Sequence, residues 1–172
     1  TYVGSIVVFL FVLGLFIVKG RFKYWILFAT VLSILLAWGK NFMFLTDLFL
    51  DYFPAYNKFR AVSMILVVAE FTIPLLAIMA LDTALKFKKD SKLLIENKLK
   101  YSYYIVGGFC LVLALLPSLA GDFSGMQDQT LQANGFPIDA IVKDRKTLLS
   151  SDAFRSFVFI TITFILILVF LR

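Results

Sequence analysis

Lys58 and Arg60 stand at the end of a segment crowded with carboxylates and aromatic rings, W-G-K-N-F-M-F-L-T-D-L-F-L-D-Y-F-P-A-Y-N-K-F-R from Trp38 to Arg60. A guanidinium presents a planar fork to phosphate oxygens and an ammonium a compact charge, so the pair has the chemistry to hold a phosphorylated headgroup. Asp47 and Asp51 add carboxylates that can take a proton from an acceptor hydroxyl, and Tyr56 and Asn57 complete the candidate substrate-binding set. Phe42, Phe44, Phe49, Tyr52, Phe53 and Phe59 make the segment too apolar to extend freely into water. It reads either as an aromatic anchor at the membrane interface or as a re-entrant element buried against protein. Lys58 and Arg60 either hold one lipid phosphate at the interface or meet ordinary outer-leaflet headgroups. Thr46 suits the cap of a short helix that Pro54 would end.

Glu70 is the other residue with chemical potential, the single acidic side chain inside an apolar block. Pro74 lacks the N–H that would bond the carbonyl of residue 70, which predicts a kink beside the carboxylate. A charge there costs about 2.5–3.5 kcal/mol even on the gentler insertion scales, so Glu70 is a candidate for substrate or proton handling. The plainer alternative is a protonated or hydrogen-bonded Glu tying helices together.

Much other chemistry is excluded. The chain has no histidine and one cysteine, Cys110, which removes histidine-based triads, most zinc sites and any intrachain disulfide. Neither G-x-x-x-x-G-K-[ST] nor G-x-G-x-x-G occurs, which argues against a nucleotide-driven pump. No catalytic residue is assigned, no metal site is expected within the segment, and no cofactor is evident. No basic loop carries the aromatic interleaving of a nucleic-acid site, so nucleic acid is not an expected partner.

The elements that must position these residues follow from hydropathy. Hydrophobic residues make up 61% of the chain and charged ones 16%, with mean hydropathy +0.92, whereas soluble domains run at about 45–50% and about 25%. A soluble fold cannot hide that much apolar surface. The apolar residues fall in blocks at 2–18, 24–38, 61–81, 101–120 and 154–171, near the length needed to cross a hydrocarbon core about 30 Å thick. Continuous runs of this kind form helices rather than barrel strands. The expected fold is all-α, a polytopic transmembrane bundle of about five spans in contact with the lipid bilayer.

Orientation follows from the loops. Lys19, Arg21, Lys23, Lys86, Lys88, Lys89, Lys92, Lys98, Lys100 and Arg172 lie on one side, against Asp82, Asp90 and Glu96. The other side balances seven cations with seven aspartates over longer loops. The positive-inside rule places the first set in the cytoplasm, with the N-terminus of the segment outside and its C-terminus inside. The stretch 82–100 reads as a lysine-rich interfacial helix anchoring on anionic headgroups. In the outer loop 121–156, residues 137–151 read as a surface-lying helix, with Ser151 or Asp152 as the N-cap of the last span. Because the chain starts and stops at the edge of a span, it is expected to be a segment of a longer polytopic protein.

Three runs, W-G-K-N-F at 38–42, D-Y-F-P-A-Y-N-K-F-R-A-V-S-M-I-L-V at 51–67 and D-R-K-T-L-L-S-S-D-A-F-R-S at 144–156, resemble the YfhO family of bacterial membrane proteins, particularly its Bacteroidetes members. The resemblance spans nearly the whole chain. It implies a GT-C-like glycosyltransferase fold in the bacterial cytoplasmic membrane, acting in the cell envelope on a sugar carried by a polyprenyl-phosphate lipid at the outer face. It also implies that the essential acidic loop, and any divalent metal it helps to bind, belong to the remaining portion of the same protein. Asp47 and Asp51 lie in a later loop and do not inherit that catalytic role. Two other classes stay open: a transporter or lipid flippase, suggested by Glu70 with Pro74 and by the short second block, and a structural subunit of an envelope complex.

Overall fold

The computed structural model describes residues 3–38, 52, 62–86, 92–121, 123, 125, 128 and 137–171. Among these the chain is helical and contains no strand. Five α-helices are bounded among the described residues: α1 (Ser5–Ile17), α2 (Phe22–Ala37), α3 (Leu66–Leu85), α4 (Lys92–Leu115) and α5 (Ile138–Leu171). Short 3-10 turns at Val62–Ile65 and Pro117–Ala120 precede α3 and follow α4. Three helices, α3, α4 and α5, are long and apolar enough to cross a membrane; α1 and α2 are apolar but shorter. At 13 and 16 residues, α1 and α2 measure about 20 and 24 Å at 1.5 Å per residue, less than the hydrocarbon core.

Two expectations about the polar stretches need correction. The lysine-rich segment is not a separate interfacial helix: 82–85 close α3, and 92–100 run without a break into the apolar block to make α4. Nothing between Lys92 and Tyr101 is a glycine or proline, and Leu, Glu and Lys are good helix formers, so no residue there can stop the helix. Likewise, the expected surface helix of the outer loop and the last span are one helix, α5, of 34 residues. Ser151 and Asp152 lie in its interior and cap nothing. The other end of α4 obeys proline: Leu116, steered away from the α region by Pro117, takes φ −127° and ψ 65°, so the helix stops at Leu115, short of the predicted limit at 120.

The chain divides into two compact units, 1–98 and 99–172. In the first, α1 and α2 pack on α3. Phe9, Leu13 and Ile17, one turn apart along α1, are buried, as are Leu76, Ala77, Ala80 and Ala84 of α3. Gly14 is what lets α1 approach so closely. A Cβ there would stand 2.9 Å from the Leu76 carbonyl oxygen and 3.3 Å from the Ala80 Cβ, so small residues on both helices set the spacing. The turn into α2 reverses at Gly20, whose φ of +109° suits glycine. It is fastened by Lys23, whose Nζ donates to the Leu15 carbonyl at 2.9 Å and so satisfies an acceptor left open at the end of α1.

In the second unit, α4 and α5 are joined by hydroxyls and rings. Ser150 donates to the Ala114 carbonyl at 2.6 Å. Farther along, Tyr103 stacks on Phe164 with ring centroids 4.5 Å apart and shares a 3.1 Å hydrogen bond with the Thr161 hydroxyl.

Candidate functional site

Of the residues the sequence singles out, Asp47, Asp51, Tyr56, Asn57, Lys58 and Arg60 lie outside the described residues. Glu70 is described. It sits in the first half of α3, one helical turn before Pro74, and is half-buried. Among the described residues its carboxylate makes no hydrogen bond or ion pair. The buried arc of α3, marked by Ala69, Thr72, Leu76 and Ala80, runs beside Glu70 without including it. The carboxylate therefore borders the helix–helix contact.

The polar groups inside that contact are hydroxyls, which the sequence shows only as interruptions of apolar runs. Thr30 of α2 and Thr72 of α3 approach to 2.7 Å and are 3% and 8% exposed. Each also lies within reach of a carbonyl one turn back, Ile26 at 2.8 Å and Val68 at 2.9 Å. Each hydroxyl carries a single proton, so whichever threonine donates to the other gives up its own carbonyl. Ser33 donates to the Thr30 carbonyl at 2.9 Å and extends the seam along α2. In α4, Ser102 is fully buried, and among the described residues its Oγ has no hydrogen-bond partner.

A second polar constellation lies outside the apolar blocks. Arg145, in the polar first half of α5, grips Asp128 with both terminal nitrogens, at 2.9 and 2.8 Å, and donates to the Phe123 carbonyl at 2.7 Å. The same carboxylate accepts the Gly125 N–H at 2.6 Å. Lys146 places its Nζ 6.0 Å from the centre of the Phe123 ring. Phe123 itself takes φ 57°, an uncommon conformation for a residue with a side chain, and the contacts around it hold it there. The Arg145 guanidinium first, and the Gly125 N–H second, hold the Asp128 carboxyl below the usual carboxylate range, while the bond to Asp128 raises Arg145. Both Asp128 oxygens are engaged, so this carboxylate fastens a loop; it is not poised to act as a base. No spacing in the sequence pairs it with Arg145, since the two are 17 residues apart across a loop.

Among the described residues no group of three carboxylate, thiol or imidazole side chains converges on a point. No protein-family model matches the chain, and neither a curated protein nor a solved structure matches it.

Proposed function

We propose that the chain is the membrane-embedded portion of a bacterial integral membrane protein, with α1 and α2 also within the bilayer. The observation that carries this reading is the outward exposure of large apolar side chains on the long helices, such as Phe71, Ile78, Leu166 and Phe170. In water each would forfeit about 1.5–3 kcal/mol of burial, a penalty that lipid removes. Alkaline carbonate washing tests it: the protein stays with the membrane pellet, and release into the supernatant would refute the reading.

On the resemblance to YfhO-like proteins, we read the activity as glycosyltransferase-like, using a polyprenyl-phosphate-linked sugar at the outer face. Support comes from the aromatic, cation-ended stretch before α3, where Lys58 and Arg60 match the chemistry of a lipid phosphate. In the full-length protein, Lys58→Ala and Arg60→Ala should each weaken carrier binding tenfold or more, because breaking a desolvated charged contact costs about 2–5 kcal/mol. Unchanged carrier affinity in both single variants and the double variant returns the stretch to an interfacial anchor.

One observation favours a transporter or flippase instead: among the described residues Glu70 makes no hydrogen bond or ion pair, one turn before a proline within a long apolar helix. Glu70→Gln keeps hydrogen bonding and drops the charge. Loss of activity in a stably inserted Glu70→Gln protein supports proton or substrate handling, and full activity limits Glu70 to packing.

A further inference from the structure

We infer that the α1–α2 turn and the first two turns of α2 form a docking surface for an anionic phospholipid, with the headgroup on Lys19 and Arg21 and the upper acyl chain against Tyr24, Trp25 and Phe28. This rests on the reading that α1 and α2 lie in a bilayer. The cations of the turn are not equivalent. Lys23 is committed, its Nζ bonded to the Leu15 carbonyl and standing 5.2 Å from the centre of the Tyr24 ring. Lys19 and Arg21 are exposed, and among the described residues they make no hydrogen bond or ion pair. Gly20, at φ +109°, stands between them in the turn.

Directly after the cations comes a shallow groove of about 360 Å³ lined by Tyr24, Trp25 and Phe28. Trp25 is 70% exposed and Phe28 59% exposed, and their rings meet edge-to-face with centroids 6.5 Å apart along the groove. The exposed ridge continues along α2 through Val31 to Ile34. Charge at one end and a continuous apolar track from it are the two halves of a phospholipid. A soluble anion would use only the cations, and a neutral lipid only the track. A second apolar helix would leave Lys19 and Arg21 unanswered. Juxtamembrane cations are worth about 1 kcal/mol each toward anionic lipid, close to a fivefold preference per cation.

Trp25 reports on this site directly, because the chain has only one other tryptophan, Trp38. The Trp38→Phe protein is reconstituted into phosphatidylcholine bilayers containing equal small mole fractions of either brominated phosphatidylglycerol or brominated phosphatidylcholine, and Trp25 quenching is measured. The anionic lipid should quench well beyond its bulk share, with the preference falling roughly fivefold in Lys19→Gln or Arg21→Gln and vanishing in the double variant. Equal quenching by both lipids, or a preference that survives the double substitution, overturns the docking surface while leaving the membrane reading intact. Quenching by neither lipid overturns both. Loss of the preference on adding inorganic phosphate, beyond that caused by chloride at matched ionic strength, would mark a soluble-anion site and overturn the assignment to lipid.

Discussion

Thr30 and Thr72 meet hydroxyl to hydroxyl at 2.7 Å across the contact between α2 and α3, in a seam that Ser33 extends along α2. Because each threonine also has a carbonyl of its own helix as an alternative partner, the pair bond is gained at the expense of another. Its net worth should therefore be modest. Thr30→Val, Thr72→Val and the double variant, compared by unfolding in detergent, should give a coupling of about 0.6 kcal/mol and no more than about 1.7 kcal/mol. A larger coupling would mean that the helices depend on this contact rather than on close packing.

Close packing is concentrated at Gly14. A methyl group there would collide with the Leu76 backbone, which cannot rotate away as a side chain can. Gly14→Ala should lower stability by about 1–3 kcal/mol, and Gly14→Val by more, through overpacking. Gly4 has open space around it, and Gly4→Ala should show no such clash, so the pair of variants separates crowding from any general effect of losing glycine.

Acid should open the Arg145–Asp128 clasp. The folded state holds the Asp128 carboxyl below its ordinary value, so the clasp stabilises fully above the unfolded value of about 3.9 and loses that contribution as pH falls through the lower folded value. Hydrogen exchange at the Gly125 amide, which donates to Asp128, is the direct readout. Exchange corrected for intrinsic rate should be insensitive to pH near neutrality and speed up only in strong acid, whereas Arg145→Ala should speed it up at every pH.

The charge distribution makes a topological prediction. In a Cys110→Ser background, cysteine at Ser91 should be shielded from a membrane-impermeant thiol reagent in intact cells, and cysteine at Gln129 should be labelled. The reverse pattern would invert the orientation read from the lysines and arginines.

Helix identity was legible from hydropathy because each apolar block lies largely within one α-helix; the ends were legible only where a strong breaker stands. Pro117 stops α4 within two residues, and Gly20 turns α1 into α2. Where composition changes without a breaker, at Lys100 to Tyr101 and at Ser151 to Asp152, polarity suggests a boundary that the backbone does not make. Hydrogen bonding along a helix is indifferent to whether its side chains face water or lipid. The polar contacts were less legible. Glu70 stands out in sequence by its charge, but Thr30 with Thr72 and Asp128 with Arg145 involve common residue types whose partners are chosen by tertiary packing.

The unbroken length of α5 has a mechanical consequence. Without an internal proline or glycine, its 34 residues behave as a lever about 51 Å long. Arg145 and Thr161 sit on one rigid arm, about 24 Å apart along its axis at the same rise per residue. A pivot of about five degrees at the Tyr103–Thr161 contact would therefore carry the Arg145 guanidinium sideways by roughly 2 Å, enough to strain a bidentate grip on a carboxylate. Force applied at the loop meets the Ser150–Ala114 hydrogen bond before it reaches the aromatic stack of α4 and α5.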